Sequence, residues 1–173
     1  MAVWVGNQRR LRAQAIQFLL DAYGDIATRD GKGMPHAQAV ADILRDSGAD
    51  DATQIAGLLH DVVEDTPRTV EDVRAAFGDE VAAIVDAVTE DDSIDRYAAR
   101  KRLLRSRIAA AGGPAVEISL ADKIASLRYS LLTGTKIRKR KLAHYRASLD
   151  IALAAGVGGD LSSELAGLLA GFS

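Results

Sequence analysis

Ala56-Gly-Leu-Leu-His-Asp-Val-Val-Glu-Asp-Thr66 sets an imidazole and three carboxylates into an otherwise apolar run. Ile55, Leu58, Leu59, Val62 and Val63 give the run the apolar surface of a buried helix. At helical spacing His60 lies above Glu64 and Asp61 above Asp65, because residues four apart share a face. That much charge beside a core is stable only when it is paired or holds a cation. A bound metal ion is the simplest account of it.

The composition fits a helical setting for that stretch. Alanine and leucine dominate the apolar residues, only 5% of the chain is aromatic, and it has three prolines. A length of 173 residues suits one domain with a substantial core. The net charge of −2 gives no global attraction for nucleic acid or an anionic membrane. With no cysteine, disulfides, thiolate metal sites and thiol nucleophiles are excluded. Met1-Ala-Val-Trp-Val-Gly lacks the basic flank and apolar length of a signal segment, and Leu161 to Phe172 is too short to span a bilayer. The expectation is a cytoplasmic chain with no membrane partner.

Working outward, Leu11, Ala15, Phe18, Leu19 and Ala22 form one stripe of a helix from Gln8 to about Tyr23. Thr28 to Pro35 has the glycines of a loop, and Pro35 suits the first turn of a helix that carries His36 and stops at Gly48. Asp50 or Asp51 caps the opening stretch, which should end near Thr66-Pro67. Thr69 with Glu71 and Asp72 starts a short helix that closes at Phe77-Gly78, and Asp79 starts another. Asp95 to Ala111 reads as a charged helix whose Arg100 to Arg107 form a solvated face. Ala115 to Leu132 is largely apolar, and Asp122 interrupts it. Ile137 to Ala155 and Asp160 to Ala170 close the chain. No strand pair or internal repeat stands out, so the fold class is all-α, a bundle of eight or nine helices.

His36, His60, Asp61 and Asp122 are polar groups on otherwise apolar helices. Two imidazoles and two carboxylates make a mixed nitrogen and oxygen set, which suits divalent manganese, iron or zinc. Facing positions of a helical bundle can converge on one ion. An ion with positions left open can lower the pKa of water and neutralise phosphate charge. Taken singly, the histidines could equally be hydrogen-bonded core residues and Asp122 a cap. Together they point to a metal.

These motifs resemble those of the HD-domain metal-dependent phosphohydrolases, and among them the hydrolase domain of the RelA/SpoT (p)ppGpp enzymes. The matching text is His36-Ala-Gln-Ala-Val-Ala-Asp-Ile-Leu44, Thr53 to Thr66, Phe77-Gly-Asp-Glu-Val-Ala-Ala-Ile-Val85 and Leu120-Ala-Asp-Lys-Ile-Ala-Ser-Leu-Arg128. The resemblance implies one HD-type domain over 1–173, with a motif core at about 29–132 and C-terminal helices over 136–173. It implies His36, His60, Asp61 and Asp122 as ligands of one Mn2+, or another divalent ion. It also implies Glu64 and Asp65 as the groups that orient the attacking water and handle its protons. The substrate it implies is a small nucleotide, (p)ppGpp, from which pyrophosphate is removed at the 3′ position. Arg29, Lys32, Lys123, Ser126 and Arg128 fall where the family binds its nucleotide.

The chain departs from the family at that nucleotide end. Ala37 stands where proline is usual. The loop Arg29-Asp-Gly-Lys-Gly-Met-Pro35 differs from the family's Arg-x-Ser-Gly-Glu-Pro-Tyr, and Ala125 and Ser126 replace a histidine and an asparagine. Another nucleotide or a 3′-phosphorylated cofactor is therefore an alternative substrate, and a nucleotide-binding module without turnover is a third reading. Nucleic-acid binding would rest on the single basic run Lys136-Ile-Arg-Lys-Arg-Lys141, which equally suits a solvated helix start, the phosphate-rich site or a partner subunit. No nucleic acid is expected, and an oligomer stays open.

Overall fold

The computed structural model describes residues 2–24 and 33–172, with side chains from residue 9 onward. Ten helices and no strands occur among the described residues. They are α1 (Ala2–Tyr23), α2 (Gly33–Asp46), α3 (Asp51–Leu59), α4 (Val62–Asp65), α5 (Val70–Phe77), α6 (Asp79–Val88), α7 (Tyr97–Ala111), α8 (Gly113–Thr133), α9 (Lys139–Ala155) and α10 (Gly159–Ala170). The all-α expectation holds. The tenth helix arises because the opening stretch is two helices: α3 stops at Leu59, and α4 is a single turn beyond His60 and Asp61. α1 begins upstream of the expected start at Gln8.

Local chemistry sets the boundaries. Asp50 caps α3 by accepting from the Thr53 N–H at 2.8 Å. Thr69 and Asp72 close a capping box on α5. Thr66 is extended, as a residue before proline prefers, and α4 ends there. Gly134 and Gly156 end α8 and α9 in the left-handed region that favours glycine.

α8 is the central helix. It packs against α2, α3, α6, α7, α9 and α10, and Ala115, Ile118, Leu120, Ile124 and Leu127 are buried on several of its faces. A helix apolar nearly all round belongs inside a bundle. Its buried polar residues Ser119, Lys123, Ser126 and Ser130 gather with Asp122 on the side that faces the site. Among the described residues no helix is long and apolar enough to cross a membrane.

Candidate metal centre and cleft

Three helices bring the candidate ligands together. α2 carries His36, the end of α3 presents His60, and α8 carries Asp122. One ligand atom from each lies within 4.8 Å of the others. His36 Nε2 is 3.1 Å from Asp122 Oδ1, and His60 Nε2 is 4.0 Å from the same oxygen. Gly57 permits the approach of α2 and α3, because a side chain there would run into Leu44 of α2. The imidazoles consequently sit with centroids 5.4 Å apart. Asp61 is adjacent: its Oδ2 lies 3.1 Å from His60 Nε2, at ion-pair distance but without hydrogen-bond alignment.

The residues fit a divalent cation. His60 Nδ1 is 2.8 Å from the Gly57 carbonyl, which can only accept, so Nδ1 carries a proton. In the neutral ring Nε2 is then a bare lone pair, buried and without a hydrogen-bond partner among the described residues. A backbone carbonyl that fixes the tautomer this way is a common support for a metal-binding histidine. Facing that lone pair are the carboxylates of Asp61 and Asp122. Only a positive charge between them relieves the repulsion. With a proton in that role, burial lowers the His60 pKa, but Asp61 and Asp122 outweigh it and raise it to about 9. Burial also raises Asp122, yet Lys123, His36 and His60 hold it well below the usual carboxylate range. Asp61 is lowered too, by His60 against burial. The two carboxylates are thus held in the ionised form that a cation site requires.

A cleft of about 500 Å³ opens over this cluster. Glu64 and Asp65 line it. Glu64 Oε1 accepts the Glu90 N–H at 2.6 Å, which anchors one end of that carboxylate. Tyr23 of α1 faces the same acids; burial, then Asp61, Asp65 and Glu64, raise its pKa strongly. The opposite wall is cationic. Tyr97, Arg100, Lys101, Leu104 and Ile108 line it from α7 at helical spacing. Arg140, Lys141, His144 and Tyr145 line it from α9. The Arg140 guanidinium lies 4.7 Å from the Tyr97 ring centroid, with Lys101 Nζ at 5.8 Å. Lys123 and Lys141 lie 5.7 Å and 5.9 Å from that of Tyr145.

The proposed nucleotide contacts divide. Lys123 is buried in the cleft wall; its Nζ bonds Ser119 Oγ at 3.0 Å and meets Asp122 Oδ2 at 3.4 Å, so its first effect is on Asp122. Ser126 is buried and lines the cleft one turn beyond Asp122. Arg128 does not reach the cleft. Six residues from Asp122 it stands about 240° round the helix, where its half-exposed guanidinium meets Glu164 of α10 at 2.7 Å. Arg29 and Lys32 lie outside the described residues. The solvated face expected for Arg100 to Arg107 holds at Arg102, which is exposed, and is corrected for its neighbours. Arg100 and Lys101 turn inward to Glu90, Arg105 bonds His144 and Arg107 bonds Asp86. Glu90, His144 and Tyr145 were not singled out by the sequence reading. The i, i+4 pairs Arg140–His144 and Lys141–Tyr145 are the pattern that marks this face of α9.

Comparison with known proteins bears on the family and the fold. The family model described as HD domain matches residues 15–158. The chain is 37% identical over 135 residues to a GTP pyrophosphokinase of Streptomyces coelicolor, covering 71% of this chain but 16% of that protein. It is 35% identical over 129 residues to the guanosine-3′,5′-bis(diphosphate) 3′-pyrophosphohydrolase MESH1 of Xenopus tropicalis, covering 72% of each. A solved structure described as a metazoan ortholog of SpoT that hydrolyzes ppGpp superposes with a TM-score of 0.78 at 27% identity, over 93% of this chain and 94% of that one. The chain thus spans only a small part of the long bacterial relative and most of the Xenopus tropicalis one. By the family match over most of its length and the shared fold, this chain belongs to the HD-domain family.

Proposed function

We propose that this chain is a manganese-dependent, cytoplasmic pyrophosphohydrolase, folded as one domain, that removes pyrophosphate from the 3′ position of (p)ppGpp. The observation that carries the reading is the unpartnered lone pair of His60 Nε2, beside His36 and Asp122 at the floor of a cleft with a cationic wall. The named activity of the MESH1 relatives supports the substrate. His36, His60, Asp61 and Asp122 would hold the ion. When bound there, a divalent ion supplies Lewis acidity toward a phosphoryl oxygen and makes water more acidic.

The chain's own residues do the rest. Glu64, held at one oxygen by the Glu90 N–H, accepts the proton of the attacking water. Asp65, one residue on, assists in orienting that water. The water oxygen bonds to the 3′ phosphorus, the bond from phosphorus to the 3′ oxygen breaks, and the 3′ oxygen takes up a proton. Arg100, Lys101 and Arg140 balance phosphate charge and Tyr97 gives the nucleotide an aromatic surface. The test is incubation of Mn2+-loaded protein with ppGpp, with release of pyrophosphate and GDP expected. Cleavage of other nucleotides without release of pyrophosphate from ppGpp would remove the assignment. One observation favours a second reading, another nucleotide or a 3′-phosphorylated cofactor: buried Ser126 lines the cleft where the family carries an asparagine. A panel of such compounds separates the two.

A further inference from the structure

His144 of α9 is a buried imidazole on the cleft wall that the reaction above leaves without a task. It is 6% exposed. Arg105 of α7 approaches it, with Nη1 2.8 Å from His144 Nδ1. A guanidinium has donors and no acceptor, so Nδ1 must accept, and the proton of the neutral ring is on Nε2. Burial, then Lys123, Lys101 and Arg105, push the His144 pKa to about 2, while Asp122 opposes them weakly. The ring is therefore neutral, and its tautomer is set by a neighbour that cannot change. A spacer in the core needs neither property. Leucine or phenylalanine would fill the volume without burying an imidazole among cations.

We propose that His144 is a substrate-binding residue whose Nε2–H donates a hydrogen bond to a phosphoryl oxygen of the bound nucleotide. The surrounding Lys101, Lys123 and Arg105 make this part of the cleft attractive to phosphate. Ammonium groups attract without strong directionality, whereas a neutral ring N–H adds an aimed bond and no further charge. The inference rests on the phosphohydrolase reading only in taking the ligand to be a phosphate compound.

With three histidines in the chain, the imidazole 15N spectrum contains three rings. In protein loaded with Mg2+, the His144 signals should report the Nε2–H tautomer and stay unchanged between about pH 6 and 8. Inorganic pyrophosphate should then shift the His144 Nε2 resonance. A signal that stays put, whether pyrophosphate binds elsewhere or not at all, overturns the proposal. Turnover gives the second arm. His144→Phe keeps the ring volume and loses the donor, and its KM should rise about tenfold with kcat nearly unchanged. His144→Gln returns an N–H close to the Nε2 position and should restore most of the loss. Equal KM values for the Phe and Gln proteins overturn the assignment. Failure of wild-type protein to cleave ppGpp would count against the function proposed above and leaves the pyrophosphate titration standing as its own test.

Discussion

Gly57 is where stability and the metal centre meet, and substituting it gives the most discriminating test of the fold. A Cβ at this position would fall well inside van der Waals contact with Leu44 Cδ1, and would lie 3.5 Å from Val40 Cγ1 and 3.7 Å from Ile118 Cγ1. Leu44 is 0% exposed, so its methyl has no solvent to move into. Overpacking of this kind costs about 1–3 kcal/mol. Alanine in a helix regains about 1 kcal/mol over glycine. Gly57→Ala alone should thus destabilise by roughly 0–2 kcal/mol, a melting point lower by at most about 8 °C. The sharper quantity is its coupling to Leu44. Leu44→Ala should itself cost about 2–5 kcal/mol. In that background the new methyl enters vacated space, and Gly57→Ala should become neutral or stabilising. The four proteins form a double-mutant cycle with an expected coupling of about 1–3 kcal/mol, read by urea denaturation. Melting with and without Mn2+ adds the functional readout. If α2 and α3 are forced apart, His36 leaves His60, and the Mn2+-dependent rise in melting point should shrink in Gly57→Ala and recover in the double variant. Additivity within about 0.5 kcal/mol, with one Mn2+ response in all four proteins, would refute the close-approach argument.

Three further outcomes are expected. Glu64→Gln should retain Mn2+, by calorimetry, while turnover falls about 10²–10⁴-fold; full turnover would remove Glu64 from the proton-handling role. Burial first, then Lys123 and Lys141, lower the Lys101 pKa to about 8, against Asp122 and Glu64. The ammonium is therefore present below that pH and lost above it, so kcat/KM for a phosphate substrate should decline as pH rises through about 8. Lys101→Met should flatten that limb, and an unchanged profile would assign it to another group. Arg128→Ala should leave KM unaltered, since its guanidinium meets Glu164 away from the cleft; a KM raised tenfold or more would reinstate it as a nucleotide contact.

Much of this fold is readable one helix at a time, because the signals are local. Thr69 with Asp72, Asp50 before α3, and the glycines at 134 and 156 each satisfy or end a backbone hydrogen-bond pattern within a few residues. The convergence of His36, His60 and Asp122 is legible for a different reason, since charge on a helix apolar nearly all round demands a partner. The bend at His60–Asp61 leaves no such trace, because both residues keep right-handed helical backbone angles and Asp65 still bonds the Asp61 carbonyl. The place of Arg128 off the cleft follows from spacing, since six residues from Asp122 is not a helical repeat. Arg100 and Lys101 were not recoverable from α7 alone. A charged helix looks the same in solvent as against a charged cleft, and what distinguishes them, Glu90, sits in the preceding loop.

Glu90 joins the two halves of the cleft, through different parts of one residue. Its backbone N–H holds Glu64, while its carboxylate takes Arg100 Nε at 2.8 Å and Lys101 Nζ. Only the second contact is open to substitution, so the two can be separated experimentally. Glu90→Gln keeps the backbone donor, and Glu64 should remain anchored with kcat within a fewfold of wild type. The same change removes a negative charge from between two cations that line the cleft, which should strengthen attraction for a polyphosphate and lower KM. Added salt should erode that gain, because it rests on charge. If instead kcat fell tenfold or more at constant KM, the carboxylate itself would be acting on the chemistry and the division between backbone and side chain would be wrong.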